Sequence, residues 1–404
     1  MLPRVPLSMT TGSLLVTLEC RACCTQTDPE GPVRTCPTCG QTLFAVYDTA
    51  QIDGPAWWKG LAARASTLWR YRELLPVREA RNVTTLGEGF TPILDLGKVA
   101  AAPGVQVSLK DDGAMPTGSF KARGMAVAVS RARELGLHDL FVPSAGNAGT
   151  ALAAYSTRAG LTARVYLPER TPEPMKRAVR SYGAEVVEVS GTIREAGEAA
   201  RAREKSRGSF DMSTLREPYR VEGKKTMGLE IVEQTGPDEL PDAILYPTGG
   251  GTGLVGMAKA FRELRSLGLL DRVPRLYAVQ PDGCAPVVRA LADGSPKITP
   301  WSDPTTIAPG LLVPAPFSSE RILEAVRETR GGGVTVTDRE ILEAMRDLAA
   351  HHGVSSSPEA AAPFAALPKL VRDGTIRAGE RVLLYLTGTG LAFSVAELER
   401  ALDA

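Results

Sequence analysis

The chain has 404 residues, which at roughly 150 residues per domain suggests two or three domains around a large buried core. Hydrophobic residues make up 43% and charged residues 23%, which excludes a disordered chain, a continuous coiled coil and a membrane channel. With 47 Lys and Arg against 46 Asp and Glu the formal net charge is +1, so no overall field draws the protein to nucleic acid or to an acidic membrane, and a small-molecule partner is expected.

In chain order, residues 2–18 contain Arg4 and one short apolar piece, Leu14-Leu15-Val16, too brief for a signal core or a membrane span. A cytoplasmic protein is expected. Five of the six cysteines then fall between Cys20 and Cys39, and four of them form Cys20-x-x-Cys23 and Cys36-Pro37-Thr38-Cys39-Gly40. A Cys-x-x-Cys turn presents two sulfurs to one point, and two such turns supply the tetrahedral thiolate set of a structural zinc ion. A reducing cytosol argues against two disulfides, and no thioredoxin-like strand and helix flank either pair to suggest a redox dithiol. The expected ligands are Cys20, Cys23, Cys36 and Cys39, with Cys24 as an alternative to Cys23, in a ribbon over residues 16–48. Cys284 stands apart.

Residues 49–83 read as a connector in which Trp57, Trp58 and Trp69 pack onto the next domain. From Thr84 onward, short Val/Ile/Leu/Ala-rich strands alternate with stretches of helical spacing, the signature of an α/β fold. Strands are predicted at Val105–Leu109, Leu140–Val142, Ala163–Tyr166, Glu185–Val189, Ala243–Tyr246, Leu276–Val279 and Val382–Leu386. Helices are predicted at Gly124–Leu135, Ala148–Ala159, Leu254–Leu267, Glu320–Arg327 and Arg339–His351. The charge runs Glu169 to Arg180 and Arg201 to Arg207 read as solvated faces.

Three loops carry chemistry. Pro116-Thr117-Gly118-Ser119-Phe120-Lys121 puts a lysine at the mouth of a helix, where the partial positive charge of the helix end disfavours an ammonium and lowers the pKa toward a nucleophilic amine. Ser144-Ala145-Gly146-Asn147-Ala148 follows a strand and opens a helix, an anion site sized for a carboxylate, with Asn147 offering an amide to a phenolic oxygen. Gly249-Gly250-Gly251-Thr252-Gly253 lies between a strand and a helix, so several amides and one hydroxyl converge on a phosphate. Within it Gly251 to Gly256, with Asp282 downstream, also matches a dinucleotide fingerprint, which supports a nicotinamide-dependent oxidoreductase as a rival. A noncatalytic zinc-ribbon adaptor is a further rival that leaves the loops unexplained. Last, Leu386-Thr387-Gly388 closes a late strand at the open end of a parallel sheet, where ligands bind.

Together these loops resemble the pyridoxal-phosphate enzymes of the tryptophan-synthase-like fold, and within them the threonine synthases. Leu86 to Pro92, Tyr182 to Glu185, Arg220 to Thr226 and Ser357 to Ala361 extend the resemblance from about Cys20 to Leu391, and the ribbon resembles an N-terminal extension of many members. The resemblance implies a two-domain, three-layer α/β fold with mostly parallel sheets, preceded by the zinc ribbon. It implies a large cofactor domain from residues 84–124 and 217–404, a small inserted domain from residues 125–216, the cofactor between them, and a homodimer. By the same resemblance Lys121 would form the internal aldimine and move protons, Asn147 would hold the ring oxygen, Gly249, Gly250, Gly251, Thr252 and Gly253 the phosphate, and Thr387 the pyridine nitrogen. Thr117, Ser144, Ala145, Gly146 and Ala148 would bind the amino-acid carboxylate. The implied reaction turns O-phospho-L-homoserine and water into L-threonine and phosphate; a serine/threonine ammonia-lyase or a β-replacement enzyme would use the same loops. The chain departs from the family at Ala122, Ala148, Glu217-Pro218 and Leu391-Ala392, and a carboxylate at Glu217 would repel a substrate phosphate if it faced one.

Overall fold

The computed structural model describes residues 12–403, so Arg4 and the rest of the first eleven residues lie outside the described part. β1 (Leu15–Cys20), β2 (Gln26–Thr27) and β3 (Leu43–Tyr47) form an antiparallel sheet in the order β2-β1-β3. The apolar piece at Leu14 to Val16 is therefore the start of a ribbon strand. In the connector, the Asp53 carboxylate caps α1 (Gly54–Leu61) by accepting from the Ala56 amide at 3.1 Å. Trp57 is buried and donates to Glu73 at 3.0 Å, and Trp69 donates to Glu88 at 2.7 Å.

An antiparallel pair follows, β4 (Ile93–Asp95) and β5 (Gln106–Asp111), then α2 (Lys121–Glu134). The chain next builds a separate sheet through β6 (Asp139–Pro143), α3 (Asn147–Ala159), β7 (Thr162–Pro168), α4 (Glu173–Ser181), β8 (Glu185–Val189), α5 (Ile193–Glu204) and β9 (Phe210–Asp211). Its four strands are parallel in the order β8-β7-β6-β9. The chain returns through α6 (Tyr219–Thr235), β10 (Ala243–Pro247), α7 (Thr252–Ser266), β11 (Arg275–Pro281), α8 (Pro286–Ala292), α9 (Ser319–Glu328), β12 (Gly332–Val336), α10 (Asp338–His352), α11 (Pro358–Arg372), β13 (Arg381–Leu386) and α12 (Val395–Asp403). The larger sheet has the order β12-β11-β10-β13-β5-β4 and is parallel except at β4. This is the mostly parallel α/β architecture expected. Strand β10 is buried at all five positions, as a parallel strand with both faces covered must be. The expected division at residues 124 and 125 falls inside α2, while the division at residue 217 falls just ahead of α6.

α6, of 17 residues, is a long helix that apolar spacing does not predict, as is α11. Every residue from Tyr219 to Val232 is buried, including Arg220, Glu222, Lys224, Lys225 and Glu230, so its charged residues occupy core positions and erase the amphipathic pattern. Three of them are paired, Lys225 with Glu222 at 2.7 Å and Glu230 with Lys110 at 3.0 Å, while Arg220 and Lys224 donate to the backbone carbonyls of Met212 and Phe120. The two charge runs are solvated as expected except at one charged residue each. Lys176 is buried and pairs with Glu188 at 2.5 Å, and Glu204 is buried under Arg164 at 2.8 Å and Ser209 at 2.6 Å.

Candidate active site

The approach to Lys121 is held by the loop after β13. The Phe120 amide donates to the Thr387 carbonyl at 2.9 Å, Thr389 N donates to the Gly118 carbonyl at 2.9 Å, and Ser119 bridges Gly388. Ser357 N donates to the Gly388 carbonyl at 3.1 Å and brings in the start of α11. The loop carrying Thr117 and Lys121 and the distant loop carrying Thr387 therefore meet at the C-terminal ends of β5 and β13. Lys121 is the first residue of α2, as expected. Its pKa is pulled down to about 7 first by burial, then by the Arg220 guanidinium, while Glu359 opposes the shift. The direction is the one expected from the helix mouth; the causes are burial and a cation from α6. The Lys121 Nζ lies 3.8 Å from the centre of the Phe120 ring, and Lys224 Nζ lies 4.1 Å from the same ring and donates to the Phe120 carbonyl.

The Ser144 to Ala148 turn opens α3, which packs beside α2. Gly146 sits at φ 140°, and a Cβ there would lie 2.2 Å from Met175 Sδ, so only glycine fits. The Ser144 hydroxyl is spent on the turn: it accepts from Gly146 N at 3.0 Å and Gly149 N at 2.9 Å. Asn147 is the first helical residue, and its side chain has no hydrogen-bond partner among the described residues.

The glycine loop joins β10 to α7 and is hemmed in on every side. A Cβ would lie 2.4 Å from the Gly310 carbonyl at Gly249, 3.1 Å from Thr214 Cγ2 at Gly250, 2.5 Å from Ile322 at Gly251 and 2.1 Å from the Tyr246 hydroxyl at Gly253. The amides of Gly249, Gly250 and Gly251 donate to nothing among the described residues, and Thr252 begins α7. A run of free amides at a helix mouth is an anion cradle. Tyr246 links it to the lysine, since its ring meets Phe120 edge-on at 6.1 Å.

The fit to pyridoxal phosphate can be tested on enclosed polar atoms that lack a partner: Thr117 Oγ1, Ser119 Oγ, Ser356 Oγ, Glu359 Oε2 and Arg220 Nε. Buried polar groups are rarely left unpaired, so a cluster of them around one lysine suits a small, highly polar ligand with a phosphate and a carboxylate. Arg220 and Glu359 are functional candidates that the loops alone do not reveal. Glu359 accepts from Gly310 N at 2.8 Å, the residue whose carbonyl lies against Gly249. Glu217, a concern in the sequence, is fully buried and turned into the start of α6, accepting from Tyr219 N at 2.7 Å and Arg220 N at 3.0 Å. Burial raises its carboxyl pKa to about 7 against the pull of Arg220 and these amides.

At the other end of the chain, the sulfurs of Cys20, Cys23, Cys36 and Cys39 lie within 4.8 Å of one another, and Cys24 is not among them. Cys20 to Cys39 is 3.4 Å and Cys23 to Cys36 is 3.5 Å, far beyond a disulfide bond of about 2.05 Å. A thiolate tetrahedron with Zn–S bonds of about 2.3 Å has edges of about 3.8 Å, close to these spacings.

Residues 84–388 match the family model described as pyridoxal-phosphate dependent enzyme. Over 373 residues the chain is 35% identical to the threonine synthase of Methanosarcina acetivorans, covering 92% of this chain and 91% of that protein. This chain belongs to the threonine synthase family of pyridoxal-phosphate-dependent enzymes. A second threonine synthase, from Methanocaldococcus jannaschii, is 34% identical over 92% of both chains. The processed form of threonine deaminase isoform 2 from Solanum lycopersicum shares the fold, with a TM-score of 0.67 at 22% identity, over 93% of this chain and 98% of that one. Membership in the threonine synthase family sets aside the dinucleotide and adaptor readings. Gly256 serves helix packing, since a Cβ there would lie 2.8 Å from the Lys224 backbone, and Asp282 is exposed in a short turn. Among the described residues no helix is long and apolar enough to cross a membrane.

Proposed function

We propose that the protein converts O-phospho-L-homoserine and water to L-threonine and phosphate. The observation that carries this reading is the length of the likeness. The match to threonine synthases runs over 92% of the chain, beyond the 84–388 segment common to pyridoxal-phosphate enzymes, and so takes in residues of the ribbon and connector. Bound at this site, pyridoxal phosphate supplies an electron sink for charge developing on the amino-acid carbons. The chain's own groups do the rest. Lys121 Nζ, with a pKa of about 7, accepts and returns protons near neutrality at little cost. The free amides of the glycine loop and Thr252 suit the cofactor phosphate, Asn147 its ring oxygen and Thr387 its pyridine nitrogen. Thr117 and the turn from Ser144 to Ala148, through the amides of Ala145, Asn147 and Ala148, suit the substrate carboxylate, the Ser144 hydroxyl holding the turn from inside by accepting from Gly146 N. Arg220, buried with a free Nε and felt electrostatically by Lys121, suits the substrate phosphate. With its carboxylate turned into α6, Glu217 does not oppose that phosphate.

The four cysteines suit a structural zinc ion, which elemental analysis of the purified protein tests. The family likeness supports a cytoplasmic homodimer, tested by light scattering, and the two sheets support a large and a small domain. The activity test supplies phosphohomoserine, threonine and serine in turn. Phosphate and threonine from the first are expected. Keto acid from threonine or serine, with no phosphate release, would make the protein an ammonia-lyase instead.

A further inference from the structure

One hydroxyl on the cysteine ribbon touches both loops that back the glycine loop. Thr42 follows the second cysteine pair, and its bridge to Thr35 closes the turn around Cys36. It is buried; its Oγ1 donates to the Leu215 carbonyl at 2.5 Å and meets the Ser318 hydroxyl. Leu215 and Ser318 share an unusual backbone, with φ at 58° and 56°, a left-handed region that costs residues other than glycine about a kilocalorie per mole or more. Ser318 precedes α9 yet does not cap it, since its hydroxyl is engaged with Thr42. The two loops are also zipped to each other, Arg216 lying 4.0 Å from the Phe317 ring centre.

Each loop ends on the glycine loop. Thr214, next to Leu215, is the residue that a side chain at Gly250 would strike, and Ile322, in the first turn of α9, is the one that a side chain at Gly251 would strike. We propose that Thr42 makes the ribbon a brace for this loop, a positioning residue that sets the affinity for the cofactor's phosphate from outside the site. The proposal rests on the reading above that Gly249 to Gly253 hold that phosphate.

The test measures binding of pyridoxal phosphate and of pyridoxal, which lacks the phosphate, to the cofactor-free full chain by absorbance titration. Unaltered protein, Thr42→Val and Thr42→Ser are compared, and hydrogen exchange is followed over residues 213–219 and 316–323. Thr42→Val should weaken pyridoxal phosphate by about tenfold, the worth of a buried hydrogen bond, leave pyridoxal unchanged and speed exchange in both segments. Thr42→Ser, which keeps the hydroxyl, should stay within about twofold of the parent. Equal weakening of both ligands, or unchanged binding in Thr42→Val, overturns the brace. If the unaltered protein does not prefer pyridoxal phosphate over pyridoxal, the phosphate reading of the loop fails instead. Should Thr42→Val not fold, Ser318→Ala removes one arm of the brace and is read by the same criteria.

Discussion

Two groups of buried charges centre on the same pair of helices, α2 and α6, and follow opposite rules. In the first, every charge meets its opposite. Arg123 donates to both oxygens of Asp112 at 2.7 Å and to both oxygens of Glu230 at 2.5 and 2.7 Å. Lys110 donates to Glu230 at 3.0 Å, and the Tyr385 hydroxyl to Asp112 at 3.0 Å. All four charged side chains have no exposed surface. The second group surrounds Lys121 and gathers basic side chains: Arg220, Lys121, and Lys224, whose amine burial and then Lys121 push well down toward the neutral form. Of its nearby carboxyls, Glu217 is engaged by helix amides and Glu359 by Gly310 N through one of its two oxygens. Balanced charges fasten helices together, whereas basic groups without carboxylate partners, free to take a proton beside an anion, suit an anionic cofactor and an anionic substrate.

The largest expected effect falls on the second group. Lys121→Ala should lose more than about 10⁴-fold in kcat/KM while still folding, measured by phosphate release with unfolding followed in parallel; activity within about tenfold of the parent would remove Lys121 from the chemistry. Next comes the first group. Arg123→Met leaves Asp112 and Glu230 short of a buried partner and should lose about 3 to 5 kcal/mol in denaturant unfolding. A loss under about 1 kcal/mol would mean the balanced group is not a fastening.

Arg220 sharpens the contrast. Arg220→Met should raise KM for phosphohomoserine by about 10- to 100-fold, the worth of a charge-assisted contact, with far less effect on stability than Arg123→Met. Equal destabilisation by the two variants would erase the distinction between the groups.

The smallest effect is a pH dependence of stability. Lys121 has a folded pKa of about 7 against an ordinary value of 10.5, so between those values the unfolded chain binds more protons and stability rises with pH. The cost of burying the ammonium is fully present below pH 7 and fades toward pH 10. In the cofactor-free protein, Lys121→Met should therefore raise Tm by a few degrees at about pH 6 and by little at about pH 10. A gain that grows with pH would reverse the sign and contradict the shift.

What the sequence discloses follows the same divide. The parallel strands, the cysteine pairs and the glycine, asparagine and lysine loops announce themselves because short-range chemistry dictates them: a turn that needs glycine, a helix mouth that needs free amides. Arg220, Glu359 and Thr42 do not, because their importance lies in partners about a hundred residues away or more. α6 was hidden for a related reason, since its apolar and charged residues are buried alike and periodicity cannot separate them. The cause of the Lys121 shift shows the limit most plainly: the helix mouth suggests the direction, and only the fold supplies burial and Arg220.

The central claim is that one amine is chosen from two that flank a single ring. Reducing the pyridoxal-phosphate-loaded protein with borohydride and mapping the modified peptide by mass spectrometry tests it most directly. The account predicts one phosphopyridoxyl group, on Lys121. The same group on Lys224, or none on either lysine, would contradict it.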